Sequence, residues 1–91
     1  MKLIHDRDAS RFRLPLDGGG EAYIEYSPLS STALDLLHTI VPPEAQGEGV
    51  GTRLVEQVLG YAREHNLRIV PSCHFVAAYL EEHPEYGDLV A

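Results

Sequence analysis

Apolar residues recur at every second position early in the chain and at helical spacing late in it. Phe12, Leu14 and Leu16 alternate with Arg11, Arg13 and Pro15, the period of a strand with one buried face. Pro15 has no N–H to give to a ladder, which puts it at a sheet edge or a strand end. Asp17-Gly18-Gly19-Gly20 supplies the positive φ that a hairpin turn needs. Ala22, Ile24 and Tyr26 then alternate with Glu21, Tyr23 and Glu25 on the return strand. Leu3 and Ile4 open a short strand, Arg7 to Ser10 reads as a turn, and Ser27 to Ser31 as a second turn.

From Thr32 to Val41 the pattern changes. Leu34, Leu36, His38 and Ile40 share one strand face, while Leu37, Thr39 and Val41 share the other. Apolar residues on both faces predict a central strand covered on both sides. Pro42-Pro43 ends it. Leu54, Val55, Val58, Leu59 and Ala62 form a helical stripe, opposed by Arg53, Glu56, Gln57, Arg63 and Glu64. Asn66 suits a left-handed helix stop. Leu67 to Val70 predicts a short strand closed by Pro71. Ser72 or Cys73 caps a second helix with Val76, Tyr79 and Leu80 as its buried stripe, and Pro84 ends that helix. The strand–helix–strand unit implies a right-handed crossover with the 67–70 strand parallel to the 32–41 strand. The predicted fold is therefore α/β (α+β): an antiparallel meander that becomes parallel, with two main helices.

At 91 residues the chain fits one domain spanning 1–91. A net charge of −7 argues against nucleic acid or an anionic membrane as partner. A single cysteine, Cys73, excludes an internal disulfide and a cysteine-only metal cage. The five histidines show no HxxxH or HxH spacing, so no metal site is expected. No run of about 18 apolar residues exists to span a bilayer. The N-terminus turns acidic at Asp6, too soon for a signal peptide, and the expected compartment is the cytoplasm. Lys2 is the sole lysine, which removes a Walker-type loop.

The segment from Val41 to Thr52 lies between the buried strand and the helical stripe. Gly47, Gly49 and Gly51 fall within five residues, a cost in chain entropy that makes sense where backbone must approach a ligand closely. The first N–H groups of a helix lack internal partners and sit at the positive dipole end, so such a loop suits phosphate. A Rossmann fingerprint starting at Gly49 needs glycine where Leu54 stands, and a P-loop needs lysine after Gly51, where Thr52 stands.

What fits is Gln-x-x-Gly-x-Gly, as Gln46-Gly47-Glu48-Gly49-Val50-Gly51. This spacing resembles the coenzyme A pyrophosphate loop of the GNAT acetyltransferases. The likeness extends over His38-Thr39, Val41-Pro42, Leu54-Val55, Pro71-Ser72-Cys73 and His83-Pro84-Glu85-Tyr86, which together are similar to a small GNAT-like branch lacking the N-terminal helices of full-length relatives. The resemblance implies a truncated acetyl-CoA-binding domain that transfers acetyl from acetyl-CoA to an amine. It implies that Val41 offers its backbone to the pantetheine arm. It also implies that Gln46, Gly47, Gly49, Val50, Gly51 and Thr52 cradle the pyrophosphate. The missing helices normally help build the acceptor pocket, so the acceptor, a small molecule or a protein amine, goes unnamed.

Three residues are candidates for catalysis. Cys73, at a predicted helix start, has the setting that lowers a thiol pKa and makes a nucleophile. A small buried hydrophobe is the plainer reading of the same residue. His38 is a general base by type, or a satisfied core histidine. Tyr79 takes, by resemblance, the place of the tyrosine that protonates the departing CoA thiolate in many GNAT enzymes; a core tyrosine has the same spacing. Direct transfer and an acetyl-Cys73 intermediate both remain open. So do a non-catalytic acyl-CoA-binding module and a protein-interaction domain without a CoA site. An acidic domain would draw cationic acceptors, and exposed β edges allow a monomer or a weak homodimer.

Overall fold

The computed structural model describes residues 2–91. Five strands form one sheet in sequence order: β1 (Ile4–Asp6), β2 (Arg11–Pro15), β3 (Glu21–Ser30), β4 (Ala33–Ile40) and β5 (Arg68–Pro71). The first four run antiparallel, and β5 lies parallel to β4. Helix α1 (Val50–Glu64) carries the chain from β4 to β5, and α2 (His74–Glu82) follows β5. Short 3-10 turns at Pro43–Ala45 and Pro84–Leu89 complete the chain.

The local signals behave as their chemistry requires. Gly19 and Gly20 take φ of 97° and 74° in the β2–β3 hairpin. Asn66 takes φ 54° and stops α1, while the Leu67 N–H donates back to the Ala62 carbonyl at 2.8 Å. Pro15 is the last residue of β2 and pairs only with Glu21 of β3, because the β1 ladder ends where Ile4 meets Arg13. The missing N–H therefore costs no ladder bond.

One face of the sheet carries the core. Phe12 stands opposite Ile24, Leu14 opposite Ala22 and Tyr26 opposite Leu36, all of them buried. The α1 stripe of Leu54, Val55, Val58, Leu59 and Ala62 is buried in the same cluster, with Ile69 from β5 and Val76 and Tyr79 from α2. Each large aliphatic or aromatic side chain buried here is worth roughly 1.5–3 kcal/mol. The thinnest dimension is 20 Å, one sheet and one helical layer.

The opposite face is polar. Arg11 pairs with Glu25 at 3.2 Å and lies 4.2 Å from the Tyr23 ring centre. Arg13 bridges Glu21 at 3.0 Å and Asp6 at 3.3 Å. Partly exposed pairs of this kind contribute roughly 0–1 kcal/mol each.

Three sequence expectations need correction. Ser27 to Ser30 is not a turn: β3 runs through it, with Ser27 opposite Asp35 and Pro28 opposite Leu34. Pro28 is accommodated beside a register shift between Pro28 and Ser30. Strand β4 lies between β3 and β5, but only one of its faces is covered. Ile40, on the other face, is 42% exposed. The third correction concerns His38. Glu25 pairs with His38 while Tyr26 pairs with Leu36, so Leu37 is an extra residue in β4. Such a bulge reverses the alternation beyond it. Leu34, Leu36 and Thr39 therefore share the covered face, and His38 and Ile40 turn to the open one.

Candidate functional site

The site lies where β4 and β5 part. Their last pair is Leu36 with Pro71, and the Cys73 N–H then donates to the Leu36 carbonyl at 2.8 Å. From Leu37 to Ile40, β4 is bordered by β3 alone. Its second edge is free for another extended chain.

The backbone next makes the glycine loop. Gly47 and Gly49 take φ of 84° and 77°, a region that side chains rarely adopt. Gly49 is the left-handed N-cap of α1, which has no side-chain cap and no acidic residue in its first turn. The opening N–H groups of α1 are thus left to an outside acceptor, at the positive end of the helix dipole. The Gln46 side-chain amide donates to the Val41 carbonyl at 3.1 Å and ties the loop's two ends together. One lone pair of the Val41 carbonyl is therefore already engaged by the protein.

A cleft of about 360 Å³ opens above this loop. Val41, Gln46, Gly47, Gly49, Val50, Gly51 and Thr52 all line it, with Ala45 and Phe75. Every cofactor-binding residue expected from the sequence thus falls on one wall. Phe75, which sequence reasoning missed, comes from the first turn of α2 and is 44% exposed. A Cβ on Gly51 would stand 2.9 Å from the Phe75 ring, so Gly51 is there for helix–helix approach. A glycine in the first turn of a helix was the only sequence sign of this contact. Glu44 and Glu48 are exposed and line an adjoining cleft of about 300 Å³ with Asp17 and Arg53.

The catalytic candidates separate. Cys73 is buried at the N-cap of α2, with its Sγ 3.3 Å from the Thr39 Oγ1. Burial works to raise the thiol pKa. The Thr39 hydroxyl and the N–H groups of Val76 and Phe75 outweigh that by holding the thiolate, and the balance falls below the ordinary thiol value. His38 is exposed on the opposite face of β4, opposite Glu25. Cys73 and His38 therefore flank the free edge of β4 from its two sides. His74 is exposed and forms no hydrogen bond with Cys73 among the described residues. Tyr79 is buried, stacks on His83 at 4.1 Å and does not line the cleft. Burial, with Glu56 beside it, pushes its hydroxyl up to about 12, so it holds its proton at neutral pH.

Comparison with known proteins agrees with this geometry. Protein NATD1 of Gallus gallus is 30% identical over 85 residues, covering 92% of this chain and 77% of that protein. Protein NATD1 of Homo sapiens is 28% identical, covering 92% and 75%. An NMR structure from Staphylococcus aureus, described as GCN5-like, superposes with a TM-score of 0.72 at 30% identity, covering 99% of this chain and 87% of that one. Residues 11–89 match the model of the GCN5-related N-acetyl-transferase family. The glycine loop, the parting of β4 from β5 and this match over most of the sequence lead to one conclusion: the chain belongs to the GCN5-related N-acetyltransferase family.

Proposed function

We propose that the protein is an acetyl-CoA-dependent N-acetyltransferase acting on a cationic amine. The observation that carries this reading is the cleft itself, where left-handed glycines and uncapped N–H groups meet a strand edge without a partner. The N–H groups at the start of α1 suit a pyrophosphate, and the free edge of β4 suits the amides of a pantetheine arm. The exposed ring of Phe75 offers an apolar wall. When bound, acetyl-CoA supplies an activated acetyl thioester.

The open face of the sheet supports the acceptor side of this proposal. His38 stands free there among the described residues. Asp35, on the same face, has a carboxylate oxygen with no partner. His38 takes the proton of the attacking amine, and Asp35 attracts the amine's cationic form. In direct transfer the amine nitrogen would bond to the acetyl carbon as the carbon–sulfur bond breaks, with coenzyme A leaving as its thiolate and the amine proton passing to His38. A second route through Cys73 is favoured by Thr39 and the α2 N–H groups, which stabilise a thiolate beside the free edge of β4.

Calorimetric titration with acetyl-CoA tests the cofactor. Binding on the order of micromolar is expected for the wild type, with loss in a folded Gly49→Val and weakening in Phe75→Ala. No binding by the wild type would reject the reading. Turnover across a panel of amines tests the chemistry. Direct transfer predicts that Cys73→Ala keeps substantial activity; a variant that binds acetyl-CoA and is inert assigns the step to Cys73. Binding with no acceptor turned over would leave an acyl-CoA-binding module.

A further inference from the structure

A second cleft, of about 420 Å³, lies at the other end of the sheet. It shares no residue with the glycine-loop cleft. Tyr61 on its wall lies twelve positions along α1 from the Gly49 N-cap, about 18 Å along the helix.

His5 organises this cleft. Its Nδ1 is 2.8 Å from the Tyr61 hydroxyl and its Nε2 is 2.7 Å from the Tyr26 hydroxyl. A neutral imidazole has one donor and one acceptor nitrogen. One tyrosine therefore donates to the ring, and the other accepts from it and keeps its own O–H. Among the described residues no acceptor meets that O–H. Protonation of His5 would free both phenol protons. In every protonation state at least one phenol O–H is left for an acceptor from outside the chain, and Tyr26 itself is buried.

The charges converge on the same reading. Arg7 lines the cleft and has no ion pair among the described residues. Arg11, Arg13 and Arg63 are all paired with carboxylates. His65 lies on the same wall, stacked on Tyr61 at 3.8 Å. No acidic residue lines the cleft, although the chain holds 14 of them. Asp6, between His5 and Arg7 in the chain, is bonded to Arg13 and to the Ala9 N–H, and Asp8 and Glu64, also next to lining residues in sequence, are exposed and do not line the cleft. Pro28, Leu34 and Leu67 supply an apolar floor.

We propose that this cleft is a second binding site, for a compact organic anion: a carboxylate on a small apolar body. The carboxylate accepts from the free phenol O–H and from Arg7 in charge-assisted bonds. The apolar body lies on the floor between β3 and α1.

An NMR titration with sodium benzoate, against sodium chloride at equal ionic strength, tests it. Saturable shifts at His5, Tyr26, Tyr61 and His65 are expected, with half-saturation on the order of millimolar. Arg7→Gln, at an exposed position, should weaken binding about tenfold while leaving the free spectrum native. Tyr61→Phe should weaken it too. Inorganic phosphate, lacking the apolar body, should bind more weakly than benzoate. Linear shifts up to about 50 mM, unchanged affinity in Arg7→Gln, phosphate binding as well as benzoate, or shifts confined to the 46–51 loop would each overturn the proposal.

Discussion

On one face of the sheet, Phe12, Leu14, Ile24 and Leu36 lie fully buried under α1 and α2. On the other, Arg11, Arg13, Glu21 and Glu25 form half-exposed ion pairs. Both sets come from the same alternating strands, yet their physical work differs. The covered face removes apolar area from water, which drives folding. The polar face contributes little stability and is left available to a partner molecule. One extra residue, Leu37, connects the two by turning His38 outward and Thr39 inward against Cys73.

Substitutions that separate the two faces should differ in size. Leu36→Ala leaves a cavity under both helices and should destabilise by about 2–5 kcal/mol. At roughly 4–8 °C per kcal/mol for a domain of this length, calorimetry should show a melting temperature lower by about 8 °C or more. A loss under about 1 kcal/mol would mean that the covered face is not the main source of stability.

Acid should act on the covered face through His5. Its ring stacks on Phe12 at 4.4 Å and is faced by Tyr26, Tyr61, Arg7 and His65, with Asp6 beside it. Burial first, then Arg7 and His65, lower its pKa below 6.5, against a smaller opposing pull from Asp6. The folded state therefore favours neutral His5. That stability is present above the unfolded pKa and is lost as pH falls below about 6.5 and on through the lower folded value. The slope should stay under the single-proton ceiling of about 1.4 kcal/mol per pH unit. Denaturant melts from pH 7.5 to 5 should show it, and His5→Gln should flatten it; an unchanged slope would assign the effect elsewhere.

Thr39→Val tests the inward side of the bulge. It removes a hydrogen bond worth about 0.5–1.5 kcal/mol and should move the pH profile of Cys73 alkylation upward. No movement would mean that backbone N–H groups, of Thr39 and of α2, hold the thiolate without the hydroxyl. Arg13→Ala, on the polar face, should cost only about 0.2–1 kcal/mol. A larger loss in a urea melt would show that the polar face also stabilises the fold.

Local physics made much of this protein legible from its sequence. The alternation at Phe12–Leu14 and Ala22–Tyr26, the stripe from Leu54 to Ala62 and the stop at Asn66 each rest on near neighbours. The glycine loop was readable for the same reason, since backbone freedom and unpartnered helix N–H groups are local properties. These sufficed to place seven residues on one cleft wall. The bulge at Leu37 was not readable, because it exists only as a mismatch with Glu25 and Tyr26 across the sheet. That mismatch alone decided the facing of His38. Phe75 meets Gly51, and His5 meets Tyr26 and Tyr61, across separations that no periodicity encodes. Sequence by itself determined most of the elements, their order and the glycine loop, since these follow from steric and hydrogen-bonding preferences within a few residues. Tertiary structure decided which face each side chain of β4 serves and which distant groups share a cleft, since strand register and packing are settled only when remote segments meet.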